Sequence, residues 1–344
     1  MALQDIDFGI LQDIADNPNV TDIVVTGEGR VWADFGLGLN EYNPRIPFDN
    51  PSVLREYAVW LCAQLGKRLD DACPIADASS PLGVRIHALI APIVLSGAAI
   101  SIRFPALKHY CLTELSSKGM FPIELSRILY LLVESRANIL ITGSTGSGKT
   151  TLMKALLASC NPKDRIVTVE ETRELGCVSN DYVSLATREA NVEGAGCIDL
   201  QELVKATLRM RPDRIILGEC RGKEIADLLR VFTCGHKGGM TTLHADKVQK
   251  VPARLMALGL LAGLEPMALC ALAADAFDVV IHVERVNGIR VVKELGVLRS
   301  NDSGALEGVP VLRVKDTQIE ATLAWKEFSS KWHLPLNSQI VLRA

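Results

Sequence analysis

Between an apolar run, Asn138–Thr142, and a helix-forming run, Thr151–Ser159, the chain carries Gly143-Ser144-Thr145-Gly146-Ser147-Gly148-Lys149-Thr150. This fits GxxxxGK[ST], the pattern of a loop that cradles phosphates. Glycines let successive backbone N–H groups turn inward, and a strand leading in with a helix leading out sets the anion at a helix N-terminus. Ordinary residue usage produces the pattern by accident in such a chain roughly once in a hundred times. The octapeptide and Thr151 are therefore candidate nucleotide contacts, for ATP with Mg²⁺. Lys149 is expected to reach the β- and γ-phosphates, and Thr150 to offer its hydroxyl to Mg²⁺, with Glu170 or Glu219 acting through water.

A hydrolase built on such a loop needs carboxylates at neighbouring strand ends to order metal and water. Asp213–Gly218 is an apolar strand delivering Glu219, and it is expected beside the phosphate-loop strand. Arg165–Val169 is a second, ending in Glu170-Glu171, of which one acid polarises water and the other caps the next segment; the residues alone do not choose. Gly235–Asp246 enters the strand Met240–Leu243 and ends in His244, a candidate sensor of the γ-phosphate. Phosphoryl transfer also needs cations on the equatorial oxygens. Arg85, Arg103, Arg209, Arg211 and Arg221 are the candidates, with Glu171, Arg209 and Arg221 as further phosphate-sensing positions.

The chain's 344 residues suffice for about two domains. Residues 1–104 read as a small α+β domain: a helical rhythm over Asp5–Ala15, strands at Ile23–Thr26 and Arg30–Ala33, a helix at Val53–Leu65 and returning strands at Leu82–Ile90 and Ala98–Phe104. Residues 105–122 read as a linker, 123–300 alternate strand and helix as mainly parallel sheets do, and 301–344 form an extension of unknown role. Nine cysteines include no CxxC pair, and Cys62, Cys234 and Cys270 lie in apolar surroundings, which predicts reduced, buried thiols in a reducing compartment. Acids occupy the N-terminus where a signal peptide needs basic residues. The most apolar stretch is broken by Glu265-Pro266 before it reaches bilayer length. A net charge of −3 argues against a dedicated nucleic-acid binder.

In order and spacing these boxes resemble the secretion ATPase superfamily that powers type II and type IV secretion and type IV pili. Walker A is Gly143–Thr150, the acidic box Ile166–Glu174, Walker B Asp213–Arg221 and the histidine box Gly235–Asp246. Thr187-Arg188, Asn191–Gly194, Leu208–Ile216, Asn19–Ile23, Arg85–Ala88 and Ser101–Arg103 look most like the tight-adherence pilus branch, the CpaF/TadA-type ATPases. The resemblance covers about residues 5–298. It implies an α/β fold: a RecA-like P-loop NTPase domain with a mainly parallel sheet, preceded by a smaller α+β N-terminal domain. It also implies a homo-hexameric ring, nucleotide held between the two domains, and a cytoplasmic position at the inner face of the membrane against inner-membrane platform proteins. Glu170 matches the water-activating acid, Glu219 the Walker B acid and His244 the box histidine, while Arg85 and Arg103 match arginines directed at phosphate. Glu170-Glu171 stands where Glu-Asp is more usual, Cys220 lies inside Walker B, and no four-cysteine zinc module is present. The rival expectations are a RecA-like nucleic-acid motor, and a nucleotide-binding scaffold without turnover.

Overall fold

The chain divides into two units, Met1–Lys108 with Thr172–Glu174, and His109–Glu171 with Leu175–Ala344. A computed structural model describes residues 6–36, 38–105, 110–176, 179–188, 190, 195–315, 318–334 and 340–342 of them. In the first unit a short helix α1 (Gln12–Ala15) precedes strands β1 (Asp22–Val25), β2 (Val31–Asp34) and β3 (Leu39–Tyr42). Helix α2 (Pro51–Ala63) and strands β4 (Ile75–Ser79), β5 (Arg85–Ile90) and β6 (Ala98–Arg103) follow. Helix α2 starts where Asn50 accepts the Ser52 N–H and Pro51 supplies a preset φ. The sheet runs β3-β2-β1-β6-β5-β4, antiparallel throughout. Alternation in β5 buries Ile86, Ala88 and Ile90, in one core with Leu54, Ala58 and Leu61 of α2, and turns Arg85 and His87 to the other face.

The second unit opens with α3 (Leu112–Ser117) and α4 (Ile123–Glu134). Of the stretch read as linker, residues 106–109 lie outside the described residues, but 112–117 are helical, because Glu114 closes a turn on the Cys111 N–H. Then follow β7 (Ile139–Thr142), α5 (Lys149–Leu157), β8 (Arg165–Glu170), β9 (Asp181–Ala186), α6 (Leu200–Thr207), β10 (Arg214–Leu217), α7 (Glu224–Thr233) and β11 (Met240–Leu243). After α8 (Val251–Leu261) and α9 (Pro266–Ala276) come β12 (Val279–Val286), β13 (Ile289–Ser300), β14 (Leu306–Lys315), β15 (Gln318–Ala321), α10 (Trp325–Lys331) and β16 (Ile340–Leu342). Ten strands form one mixed sheet, β16-β15-β14-β13-β12-β7-β11-β10-β8-β9. The run from β12 to β9 is parallel.

Both faces of the parallel part are covered. All four residues of β7, β10 and β11 are buried, as a sheet with crossover helices on each side requires. Period-two alternation deals Ile139 and Ile141 to the core shared with α4 and α5, and Leu140 to the core shared with α7 and α8. At the N-terminal ends of the central strands, buried Asn138 ties three of them together. Its carboxamide donates to the Ala276 carbonyl at 3.0 Å and accepts from the Gly239 N–H at 2.9 Å, while its own N–H donates to Asp278 at 2.9 Å. Asp278 in turn accepts from Lys331 of α10 at 2.9 Å. Residues beyond 300 thus belong to the sheet and its core, with Trp325 only 1% exposed.

Two expectations are corrected. Strand β11, not β10, is the neighbour of β7, and β10 lies one strand further out. Both are four-residue buried strands whose backbones pair equally well with either neighbour, so sequence does not order them. Cys234 is exposed, because it caps the end of α7 rather than facing its core; Cys62 and Cys270 are buried, and the described cysteines are free thiols.

Candidate active site

The phosphate loop leaves β7 at Gly143 and enters α5 at Lys149. Gly148, the residue before the helix, sits at φ +99° and has no side chain to cap it, so the first-turn N–H groups of α5 keep no intrahelical partner. A side chain at Gly143 would meet the Val283 carbonyl at 2.2 Å, so the loop can pass here only with glycine. Lys149 is buried, and its ammonium donates to the carbonyls of Gly143 and Ser144, each at 2.9 Å. Burial lowers its pKa, with Glu219 opposing the shift and Arg221 adding to it. Uncapped N–H groups, three left-handed glycines at 143, 146 and 148, and a half-desolvated ammonium are the donors a polyphosphate needs.

The C-terminal ends of three strands, β11, β10 and β8, lie on the same edge of the sheet as this loop. Strand β10 continues through Gly218 to Glu219. The Gly218 carbonyl accepts from the Thr242 hydroxyl at 2.8 Å, and the Cys220 N–H donates to the Thr242 carbonyl at 2.9 Å, so β10 and β11 are laced together. Glu219 lies 2.6 Å from His244 Nε2 at the end of β11, and 2.7 Å from Arg221. Arg221 also donates to Glu171 at 2.8 Å. Half-buried His244 has its pKa lowered, first by burial and then by the Lys149 ammonium, against the pull of Glu219. The imidazole is therefore neutral at pH 7, with its charge opposed by three cations and favoured by one acid.

The acidic pair left open by sequence is divided by burial. Glu170 ends β8, is 4% exposed, and accepts the Leu175 N–H through Oε1 at 3.1 Å, whereas Glu171 is exposed beside Arg221. Gly218 leaves the room Glu170 occupies, since a Cβ there would stand 3.1 Å from Glu170 Cγ. Lys149, Glu219, Arg221 and His244 form one charge cluster, with Glu171 attached through Arg221. Arg209 and Arg211 are not part of it, because they precede the N-terminal end of β10 while Glu219 follows its C-terminal end. Arg85 and Arg103 belong to the first unit, directly opposed on β5 and β6; there Arg85 meets Glu174 at 2.6 Å, and Arg103 lies 3.9 Å from Asp22. Asn191–Gly194 lie outside the described residues.

Sequence reading missed three contributors. Buried Glu224 accepts the N–H groups of Arg221 and Gly222, at 2.6 and 2.7 Å, and so sets the turn after Glu219. Arg290 of β13 donates to the Gly146 carbonyl at 3.3 Å. His282 of β12 approaches Thr142, the last residue of β7, at 3.1 Å. The last two lie more than 130 residues from the loop, in a hairpin with no motif of its own, and only the sheet order brings them there.

The chain belongs to the type II/IV secretion system protein family, whose pattern residues 4–290 match. Fold and strand-end site together define the class, that of the type II/IV secretion ATPases. Within it, the chain is 39% identical over 310 residues to a putative conjugal transfer protein of Mycobacterium tuberculosis, covering 88% of this chain and 87% of that one. It is also 34% identical over 286 residues to the conjugal transfer protein TrbB of Rhizobium radiobacter, covering 81% and 84%. Among solved structures, the pilus retraction motor PilT with bound ADP shares the fold at a TM-score of 0.58 and 18% identity, over 87% of this chain and 85% of that one. The Legionella pneumophila ATPase DotB does so at 0.56 and 19%, over 88% and 78%. Among the described residues, no helix is long and apolar enough to cross a membrane.

Proposed function

We propose that this chain hydrolyses ATP as a cytoplasmic motor of a membrane-bound pilus or secretion machine, working as a homo-hexamer against inner-membrane platform proteins. The observation that carries the reading is the convergence of Lys149, Glu219, Arg221 and His244 on the loop Gly143–Thr150, with buried Glu170 on the next strand out. Lys149 exchanges the two loop carbonyls for β- and γ-phosphate oxygens. Glu170 and Glu219 orient the attacking water, and Glu219 holds the pair Arg221–His244 toward it. His244, neutral and beside both Lys149 and Glu219, responds to the γ-phosphate. Arg85 and Arg103 supply cations to the transferred group. Thr150, with Glu170 or Glu219 through water, would hold Mg²⁺, which when bound neutralises developing charge on the phosphates.

The fold supports a RecA-like core, since a strand inserted between the phosphate-loop strand and the acid-bearing strand puts His244 between the two chemistries. The motif resemblance favours a tight-adherence pilus as the machine served, whereas the names of the conjugal transfer relatives favour DNA-transfer secretion. Deleting the gene and scoring surface pili against plasmid transfer separates the two. The enzymatic reading is tested by phosphate release from the purified chain and a Lys149→Ala variant, with oligomeric mass recorded. Turnover without DNA, from a six-fold particle and abolished by the substitution, is expected. An unchanged rate in the variant would sink it, and strong stimulation by DNA would point to a nucleic-acid motor instead.

A further inference from the structure

On the side of β7 away from β11 lies a histidine that the reaction does not use. His282 of β12 stands opposite Thr142 in parallel register and is 1% exposed, with Thr142 fully buried. Nδ1 of its ring is 3.1 Å from the Thr142 hydroxyl, and Nε2 is 3.1 Å from Glu284 Oε1. A carboxylate only accepts, so Nε2 carries a proton toward Glu284, and in that tautomer Nδ1 accepts from the Thr142 O–H. The chain Thr142–His282–Glu284 then has one consistent direction of donation, running from the interior to a glutamate that is 39% exposed.

Two further observations set this chain at the root of the phosphate loop. Thr142 is the residue immediately before Gly143, so whatever fixes its side chain fixes where the loop departs from the sheet. The register between β12 and β13 also shifts at His282/Val283, where Lys293 of β13 is the extra residue, so the irregularity lies beside His282. On the β7 side, the Val283 carbonyl stands 2.2 Å from the point a Cβ of Gly143 would occupy, and Ser147 Oγ 2.6 Å from the same point. Two consecutive residues of β12 thus face Thr142, the last residue of β7, and Gly143 after it: His282 through its imidazole, and Val283 through a carbonyl that leaves no room for a side chain.

We infer that His282 is a positioning residue of the nucleotide site: through Thr142 it holds the loop in the shape that receives phosphate before any nucleotide arrives. The inference rests on the ATP-hydrolysing reading and adds a role that neither the loop motif nor the strand-end acids contain. A preset loop lowers the ordering cost of binding. Once ATP is in place, the phosphates themselves keep the loop aligned. Loss of the grip therefore raises KM and the dissociation constant for ATP and leaves kcat at saturation nearly unchanged.

The test compares wild type, His282→Ala, His282→Asn, Thr142→Val and the double variant His282→Ala/Thr142→Val, using steady-state phosphate release and calorimetric titration with ATP. His282→Ala is expected to raise KM and Kd about tenfold, the size of one lost buried hydrogen bond, with kcat within about twofold. Asparagine, whose side-chain oxygen can stand where Nδ1 stood, recovers most of the affinity. Thr142→Val matches the alanine variant, and the double variant is no worse than either, because all three break one interaction. A merely structural histidine predicts otherwise: a lower active fraction at unchanged KM, additive losses, and no rescue by asparagine. Any of these overturns the inference. Should the alanine variant not fold, the asparagine and valine variants carry the same comparison. Wild type that neither binds nor turns over ATP overturns the parent reading too, whereas wild-type turnover with unaffected variants overturns this one alone.

Discussion

Replacing Glu219 by glutamine removes one charge from the centre of the site with almost no change of shape. The side chain is 22% exposed, and its oxygens meet Arg221 at 2.7 Å and His244 at 2.6 Å. Arg221 is half exposed and keeps Glu171 at 2.8 Å, so screening limits the lost ion pair to about 1 kcal/mol. Glutamine still offers an oxygen to one partner. The melting temperature should therefore fall by about 2–4 °C. Turnover responds on another scale, since a carboxylate that orients water or takes its proton contributes about 10²–10⁴-fold. A third effect follows from the charge alone: Glu219 raises the pKa of both Lys149 and His244, so its neutralisation lowers both. Phosphate release at saturating ATP, a thermal melt of the same sample and ¹³C titration of the histidine ring read the three effects. Turnover within about threefold of wild type would remove Glu219 from the reaction, and an upward move of the His244 titration would refute the electrostatic account.

Burial and Lys149 hold His244 below the usual histidine value of about 6.5, so the acid limb of kcat attributable to it should lie below pH 6.5 and vanish in His244→Gln. Stability follows the same sign: His244's contribution is highest above the unfolded value of about 6.5 and falls as pH drops from there to the lower folded one, which melts across pH 5–8 would check. Arg85→Ala and Arg103→Ala should each cut kcat by about a thousandfold while ATP affinity stays within about threefold, and unchanged kcat would leave these residues only the ion partners they have in the first unit. Trp325→Ala opens a cavity against the large sheet and should cost about 3–5 kcal/mol, or about 6–20 °C by calorimetry. A melt unchanged by that substitution would mean that residues past 300 are peripheral to the core.

Legibility in the sequence followed the range of the interaction. The strand, glycine loop and helix around Lys149 are contiguous, and each reads from local physics: an apolar run, residues free of a Cβ, a helix-forming run. The strands that lead to Glu170 and Glu219 were legible because a buried strand ending in an acid is itself a local pattern. How the adjacent pair Glu170 and Glu171 divides was not, because burial of the first and exposure of the second depend on Leu175 and Arg221, the latter fifty residues away. Strand order was likewise beyond reach: β10 (Arg-Ile-Ile-Leu) and β11 (Met-Thr-Thr-Leu) are both four-residue, fully buried strands, and only packing decides which lies beside β7. The C-terminal segment hid for a related reason. Strand β14 buries Val311, Leu312 and Val314 in a broken rhythm, because the bulge against β13 near Gly296 interrupts the alternation.

Asn138 has a mechanical meaning. One carboxamide and one backbone amide pin the roots of β7, β11 and β12 in a single row, at 138, 239 and 276–278. Strand β7 then runs four residues, about 13 Å, to a margin carrying Gly143 and, on its neighbours, His244 and His282. A plate clamped along one edge yields at the opposite edge. Displacements caused by gain or loss of a phosphate are largest at that margin and die away toward the clamp. Lys331 is bonded to the clamped row through Asp278, at the edge where such displacements are smallest. Residues past 300 are thus tied to the clamped edge of the sheet, through Lys331 and Asp278, rather than to the margin that carries the phosphate loop.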